Sequence, residues 1–134
     1  MGLTHLLDTN VCVEIIRRRS PQVLARLQRM IPGSVGISII TVAALQFGAV
    51  KSLQPQRNRA ALEQFLLPLE ICDFDAVAAL QYGEVRARLE SRGTPIGPLD
   101  TLIAAHAKSL NVTLVTNNLA EFRRVAGLKV EDWT

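Results

Sequence analysis

One feature constrains this chain more than any other: short apolar runs alternate with stretches of helical spacing along its whole length. Leu3 to Leu7, "SVGIS" at 34–38, "LEICDF" at 69–74 and the β-branched "VTLVT" at 112–116 each have the length of one strand, and "LKVEDW" at 128–133 reads as a last short one. Between them lie helical patterns. One runs from Asn10 through the arginines at 17–19. A second is opened by Pro21 and carries Val23, Leu24, Leu27 and Met30 on one face. Further helices are expected from about Thr41 to Ser52 and from Arg57 to Leu67, and another after the cap Asp75, with Val77, Leu80, Val85 and Leu89 as its apolar stripe. Leu99 to Leu110 and a short turn around Glu121 complete the set. Strands separated by helices pair in parallel, because parallel pairing needs a long crossover and the helix supplies it. The class is therefore α/β, with a mainly parallel, helix-covered sheet. The length of 134 residues fits one domain spanning 1–134.

In such sheets, binding sites gather beyond the C-terminal ends of the strands. Asp8 directly follows the first strand in "LLDTN", and Asn118 follows the fourth in "LVTNN", with Glu121 one turn on. Asp100 lies in the first turn of the helix introduced by "PIGPLD". Carboxylates gathered without His or Cys suit a hard cation such as Mg²⁺ or Mn²⁺, which prefers oxygen ligands. Such a centre can activate water and neutralise charge on a phosphodiester. Each residue also has a plainer role open to it. Asp8 is placed to cap a helix, Asp100 to favour a helix dipole, Asn118 to sit at positive φ in a turn, and Glu121 to be an exposed acid. His5 and His106 share no ligand spacing, and His106, on an Ala-rich helix, reads as packed or surface. Tyr82 and Trp133 read as structural.

Charge points the same way as the acids. The net charge is +3, and the arginines cluster: 17–19, 57 with 59, 86 with 88 and 92, and 123–124. Arginine's planar fork suits phosphate, so a polyanionic partner is favoured. Only four Phe, one Tyr and one Trp are present, which argues against an aromatic platform for stacking bases. Cys12 and Cys72 lack CxxC spacing and read as buried free thiols of a reducing compartment. The N-terminus has no signal-peptide pattern and no apolar run reaches membrane-spanning length, so a cytoplasmic protein without a membrane partner is expected.

Taken in order, "LLDTN", "SIITVAALQFGAVKS", "GTPIGPLDTLIAAHA", "LVTNNLAEF" and the terminal "EDW" resemble the VapC-type toxins of the PIN-domain ribonucleases over essentially the whole chain. The resemblance implies a three-layer α/β/α sandwich, an acidic Mg²⁺ or Mn²⁺ site and cleavage of RNA. It also implies a VapB-type antitoxin, a homodimer, and a hetero-oligomer with that antitoxin. The "GPxD" and "TNN..EF" pattern is similar to that of members that cut initiator tRNA in the anticodon stem-loop. By position, Asp8 and Asp100 correspond to the family's metal-binding acids. Asn118 and Glu121 fall in its variable fourth region, and Thr9, Asn10, Ser38 and Thr116 match polar residues around the site.

One position departs from the pattern. The family has Thr-x-x-Glu-Leu before a glycine, whereas here Thr41-Val42-Ala43 is followed by Ala44. Gln46 lies on another face of the helix and does not replace the missing acid. Three readings follow: a ribonuclease toxin impaired at Ala44, a binding or regulatory protein on the same fold that has lost catalysis, and a DNA-directed nuclease with the same kind of site. Sequencing the natural gene tells an introduced alanine from an inherited one.

Overall fold

The structure is a computed structural model, and it describes residues 2–134. The strands are β1 (His5–Leu7), β2 (Val35–Ser38), β3 (Glu70–Cys72), β4 (Thr113–Val115) and β5 (Val130–Glu131). They form one sheet in the order β3-β2-β1-β4-β5, with every pairing parallel. The helices are α1 (Thr9–Ile16), α2 (Pro21–Gln28), α3 (Ile39–Val50), α4 (Pro55–Leu66), α5 (Ala76–Ser91), α6 (Pro98–Leu110) and α7 (Leu119–Phe122).

The two-residue period of the strands sorts the helices into layers. Leu6 of β1 and Leu114 of β4 face Val85 and Leu89 of α5, Ile103 and Ala104 of α6, and Phe122 of α7. Their neighbours Leu7 and Val115 point the other way, with Val35 and Ile37 of β2, onto Val11 and Ile15 of α1, Val23 of α2, Leu45 of α3 and Leu62 of α4. The sheet is thus buried on both faces, which is why its central strands are continuously apolar rather than alternating. Gly36 sits between Val35 and Ile37, and a Cβ there would stand 2.7 Å from the Glu70 carbonyl oxygen of β3. No larger residue fits without moving backbone.

Strand order and helix layers together make a doubly wound sheet. The chain steps from β1 to β2 to β3 in one direction, then returns to the other side of β1 for β4. The reversal opens a crevice at the C-terminal ends of β1 and β4, where such folds place their sites.

Several expectations change in detail. The helix expected from Thr41 begins at Ile39, because the Ser38 hydroxyl caps it by accepting from Ile40 N at 3.0 Å. In α5, Val85 and Leu89 are buried with Ala78, but Val77 and Leu80 are exposed. The wide spacing of that stripe put its first two members on the outer face. Cys12 is a buried free thiol as read, whereas Cys72 is only half-buried. No helix among the described residues is long and apolar enough to cross a membrane.

Candidate active site

Parallel register assembles the centre of the site. Leu7 pairs with Val115, so the next residues, Asp8 and Thr116, leave the sheet side by side. Asp8 N donates to Val115 O at 2.9 Å. The Thr116 hydroxyl then donates to Asp8 Oδ2 at 2.9 Å, with both side chains buried. Asp8 occupies the cap position of α1, yet its side chain makes no capping bond. Its other oxygen, Oδ1, is buried and meets no hydrogen-bond donor among the described residues. A buried carboxylate oxygen without a donor is costly unless something positive comes to it.

Asn118 and Glu121 form the wall beside it. Asn118 has φ −105°, not the left-handed turn conformation open to it from sequence. It is the cap of α7, and its N–H donates to Thr116 Oγ1 at 3.0 Å. Its amide nitrogen donates to Glu121 Oε2. The remaining Glu121 oxygen accepts from Gly97 N at 3.2 Å. This last bond ties α7 to the loop that launches α6, and α6 presents Asp100 in its first turn.

The electrostatics mark Asp100. Burial, the negative charges of Asp8 and Glu121, and a hydrogen bond with Glu121 push its carboxyl up to about 7. Burial raises Asp8 as well, with a smaller push from the Glu121 charge, against the Thr116 hydrogen bond and the nearby Thr9 N–H. Three carboxyl groups therefore compete for too little positive charge. No three His, Cys, Asp or Glu side chains among the described residues are already spaced around a metal position. Glu121 is held by Gly97 and Asn118, which leaves Asp8 Oδ1 and the Asp100 carboxyl, itself hydrogen-bonded to Glu121, as the oxygens placed to meet a cation. An all-oxygen pair of this kind fits Mg²⁺ or Mn²⁺, which meets one or two protein carboxylates and keeps its waters.

The Asp100 shift has a testable consequence. A carboxyl whose folded pKa lies near 7 and whose unfolded value is 3.8 destabilises the folded chain progressively as pH rises between those values. Asp100→Asn removes that cost. In EDTA at pH 8 the variant is expected to gain about 1–2 kcal/mol after solvent screening of this part-exposed group, a rise of a few degrees in Tm. The gain should vanish near pH 4. Thermal melts at the two pH values check this.

The other predicted residues divide. Thr9 shares a hydrogen bond with Thr41 at 3.0 Å, joining the start of α1 to α3. Asn10 is exposed. Ser38 ends β2, on the strand beside Asp8, and its hydroxyl contacts His106 Nδ1 at 2.8 Å in the core rather than an acid. Ala44 is half-buried and lines a cavity of about 200 Å³ with Thr9, Val13 and Arg17 of α1. From sequence Thr41 marks only the start of the Thr-x-x-Glu pattern, one helical turn before Ala44, and its bond to Thr9 is new. Gly97 acts through its backbone N–H, which leaves no signal in residue type.

The PIN domain family matches residues 5–128. The tRNA(fMet)-specific endonuclease VapC of Salmonella typhimurium is 44% identical over 131 residues, covering 98% of both chains. The chain belongs to the VapC family of PIN-domain ribonucleases. Ribonuclease VapC2 of Rickettsia felis is 42% identical, covering 98% of both chains. Among solved structures, DNA-bound VapBC from Salmonella typhimurium superposes with a TM-score of 0.94 at 43% identity, covering 98% of this chain and 99% of that one. VapBC2 from Rickettsia felis, bound to a fragment of its promoter, gives 0.93 at 41% identity, covering 98% and 100%. The expected VapC resemblance and the α/β sandwich are therefore both borne out. As in VapC ribonucleases generally, the chemistry is that of a nuclease, and PIN-domain nucleases are generally dependent on divalent metal.

Proposed function

We propose that this protein is the toxin of a type II toxin–antitoxin pair: a metal-dependent endoribonuclease that cuts tRNA, with initiator tRNA as its target and the anticodon stem-loop as the cleaved region. It acts in the cytoplasm as one domain spanning residues 1–134, is held in check by a VapB-type antitoxin, and forms a homodimer. The observation that carries the reading is the buried, donorless Asp8 Oδ1, close enough to the half-buried Asp100 for their charges to interact at the β1/β4 crevice. Relatives named as tRNA(fMet)-specific endonucleases support the substrate. VapBC complexes among the structural neighbours support the partner.

In this reading Asp8 and Asp100 hold Mg²⁺ or Mn²⁺. An ion held there would make an activated water available and would offset charge on the scissile phosphate. Thr116 fixes Asp8 by occupying Oδ2, which leaves the buried Oδ1 unpartnered. Asn118 and Gly97 hold Glu121 at the rim, where its charge keeps the pocket in need of a cation. Thr9 and Thr41 lock α3 against the start of α1, next to Ala44. A basic side chain from the antitoxin would satisfy the same acids and silence them.

Ala44 favours a second reading, a protein that keeps the fold and its partners without cutting. Incubating a tRNA pool with this chain and with its Ala44→Glu variant, in Mg²⁺ and then in EDTA, separates the two. Metal-dependent fragments mapping to one anticodon stem-loop support the toxin. Intact tRNA with both proteins supports the binding protein, and cleavage of DNA alone would redirect the assignment.

A further inference from the structure

Resting on the ribonuclease reading, we propose that a basic pocket in the helix layer that carries Asp100 and Glu121, formed by Arg88, Lys108 and Arg124, binds the phosphate backbone of the RNA that flanks the cleaved bond. The pocket encloses about 290 Å³ over a floor of Val85 and Leu89. Its three cations come from separate elements, α5, the end of α6 and the turn after α7, and only Glu84 opposes them. None of the three is neutralised. The ion pairs among the described residues are His5–Glu131, Arg26–Glu131 and Arg86–Glu90. Arg86, two residues before Arg88 on α5, shows the contrast: Glu90 and Tyr82 both occupy its guanidinium.

Two of the pocket cations are already aimed. Lys108 Nζ donates to Ala126 O at 2.8 Å, and Arg124 Nη1 donates to Pro95 O at 3.1 Å. Each spends one donor on a backbone carbonyl, and most donors of the ammonium and the guanidinium remain for a ligand. Groups fixed in this way lose less entropy when they take up a phosphate.

Position selects RNA as the occupant. Arg124 lies three residues beyond Glu121, and its partner Pro95 belongs to the loop whose Gly97 N–H holds Glu121. Pocket and acidic site therefore share one loop and one short helix. Along α6, Lys108 lies eight residues from Asp100, about 12 Å of helix rise. That distance is within reach of the phosphates next along the same strand. A stem whose cleaved phosphate reaches Asp100 lays its following phosphates over Arg124, Lys108 and Arg88. The acids repel the backbone until a cation arrives, so attachment has to come from a neighbouring basic surface. The groove lined by Arg17, Arg18, Arg19 and Arg57 lies between α1, α2 and α4, in the opposite helix layer, and is not part of this track.

The test is fluorescence anisotropy of labelled initiator tRNA with the full chain in EDTA, at salt between about 50 and 200 mM. The double variant Arg88→Gln/Arg124→Gln is expected to bind at least about tenfold more weakly. Its salt slope should fall by about 0.7–0.9 for each phosphate that is no longer neutralised. Arg88→Lys/Arg124→Lys should recover most of the affinity, since point charge is retained. Circular dichroism and Tm confirm that the variants fold. Unchanged affinity and slope overturn the proposal, as does a loss seen only when Arg17–Arg19 or Arg57 are replaced. A parent chain that binds no RNA, with an Ala44→Glu variant that cuts none, instead overturns the ribonuclease reading and this proposal with it.

Discussion

Replacing Ala44 with glutamate is expected to raise metal-dependent tRNA cleavage by about 10²–10⁴-fold. Ala44 lies in α3 one turn beyond Thr41, whose hydroxyl bonds Thr9, the residue next to Asp8. The side chain at 44 opens into a cavity of about 200 Å³ rather than into packed core, so a glutamate can be housed there. Alanine and glutamate are both good helix formers, so α3 and the fold should persist. A third carboxylate would give a hard cation another oxygen and orient its waters. A few kcal/mol of transition-state stabilisation corresponds to the stated range, at about 1.4 kcal/mol per tenfold. Arg17 lines the same cavity and offers a counter-charge when no cation is bound. The comparison is of initial rates for the two proteins on the same tRNA at equal metal concentration. Equal rates would mean that position 44 supplies nothing the site lacks.

Asp8→Asn, made in the Ala44→Glu background, is expected to lower cleavage by at least about a thousandfold, the equivalent of several kcal/mol. The substitution is nearly isosteric. Thr116 can still donate to the side-chain oxygen, so the buried bond of 2.9 Å at Oδ2 has a replacement. What disappears is the negative charge at the donorless Oδ1. Because burial already disfavours the Asp8 carboxylate, the cation-free variant should melt no lower than its parent near neutral pH. Activity and stability therefore separate: kcat falls while Tm in EDTA holds or rises. If both fall together, Asp8 is a structural residue and the metal role assigned to it is wrong.

Much of this site was legible in the sequence because parallel sheets impose a rule. An acid directly after an apolar run, in "LLDTN", stands at a strand end, and the same logic finds Asn118 after "VTLVT", whereas Thr116 is marked only by the family resemblance. Strand order brings Asp8 and Asn118 to one end of the sheet, and Asp100 and Glu121 join them only through the placement of α6 and α7. Other features depend on contacts that residue type does not encode. The Glu121–Gly97 bond uses a backbone N–H. The contact between His106 and Ser38 spans 68 residues and couples α6 to the cap of α3, although the histidine itself read only as packed or surface. The exposure of Val77 and Leu80 was hidden because apolar residues on an outer helix face look like core until the neighbouring helices are placed. Arg88, Lys108 and Arg124 belong to different elements, so their pocket appears only when α5, α6 and α7 are packed together.

The central claim is that Asp8 and Asp100 hold the working cation at the β1/β4 crevice. Crystals of this protein grown with Mn²⁺ and measured near the manganese absorption edge test it most directly. An anomalous peak between Asp8 Oδ1 and the Asp100 carboxylate is predicted, lost in Asp8→Asn. A peak elsewhere, with no density at these two carboxylates in a protein that still cuts RNA with manganese, would contradict the account.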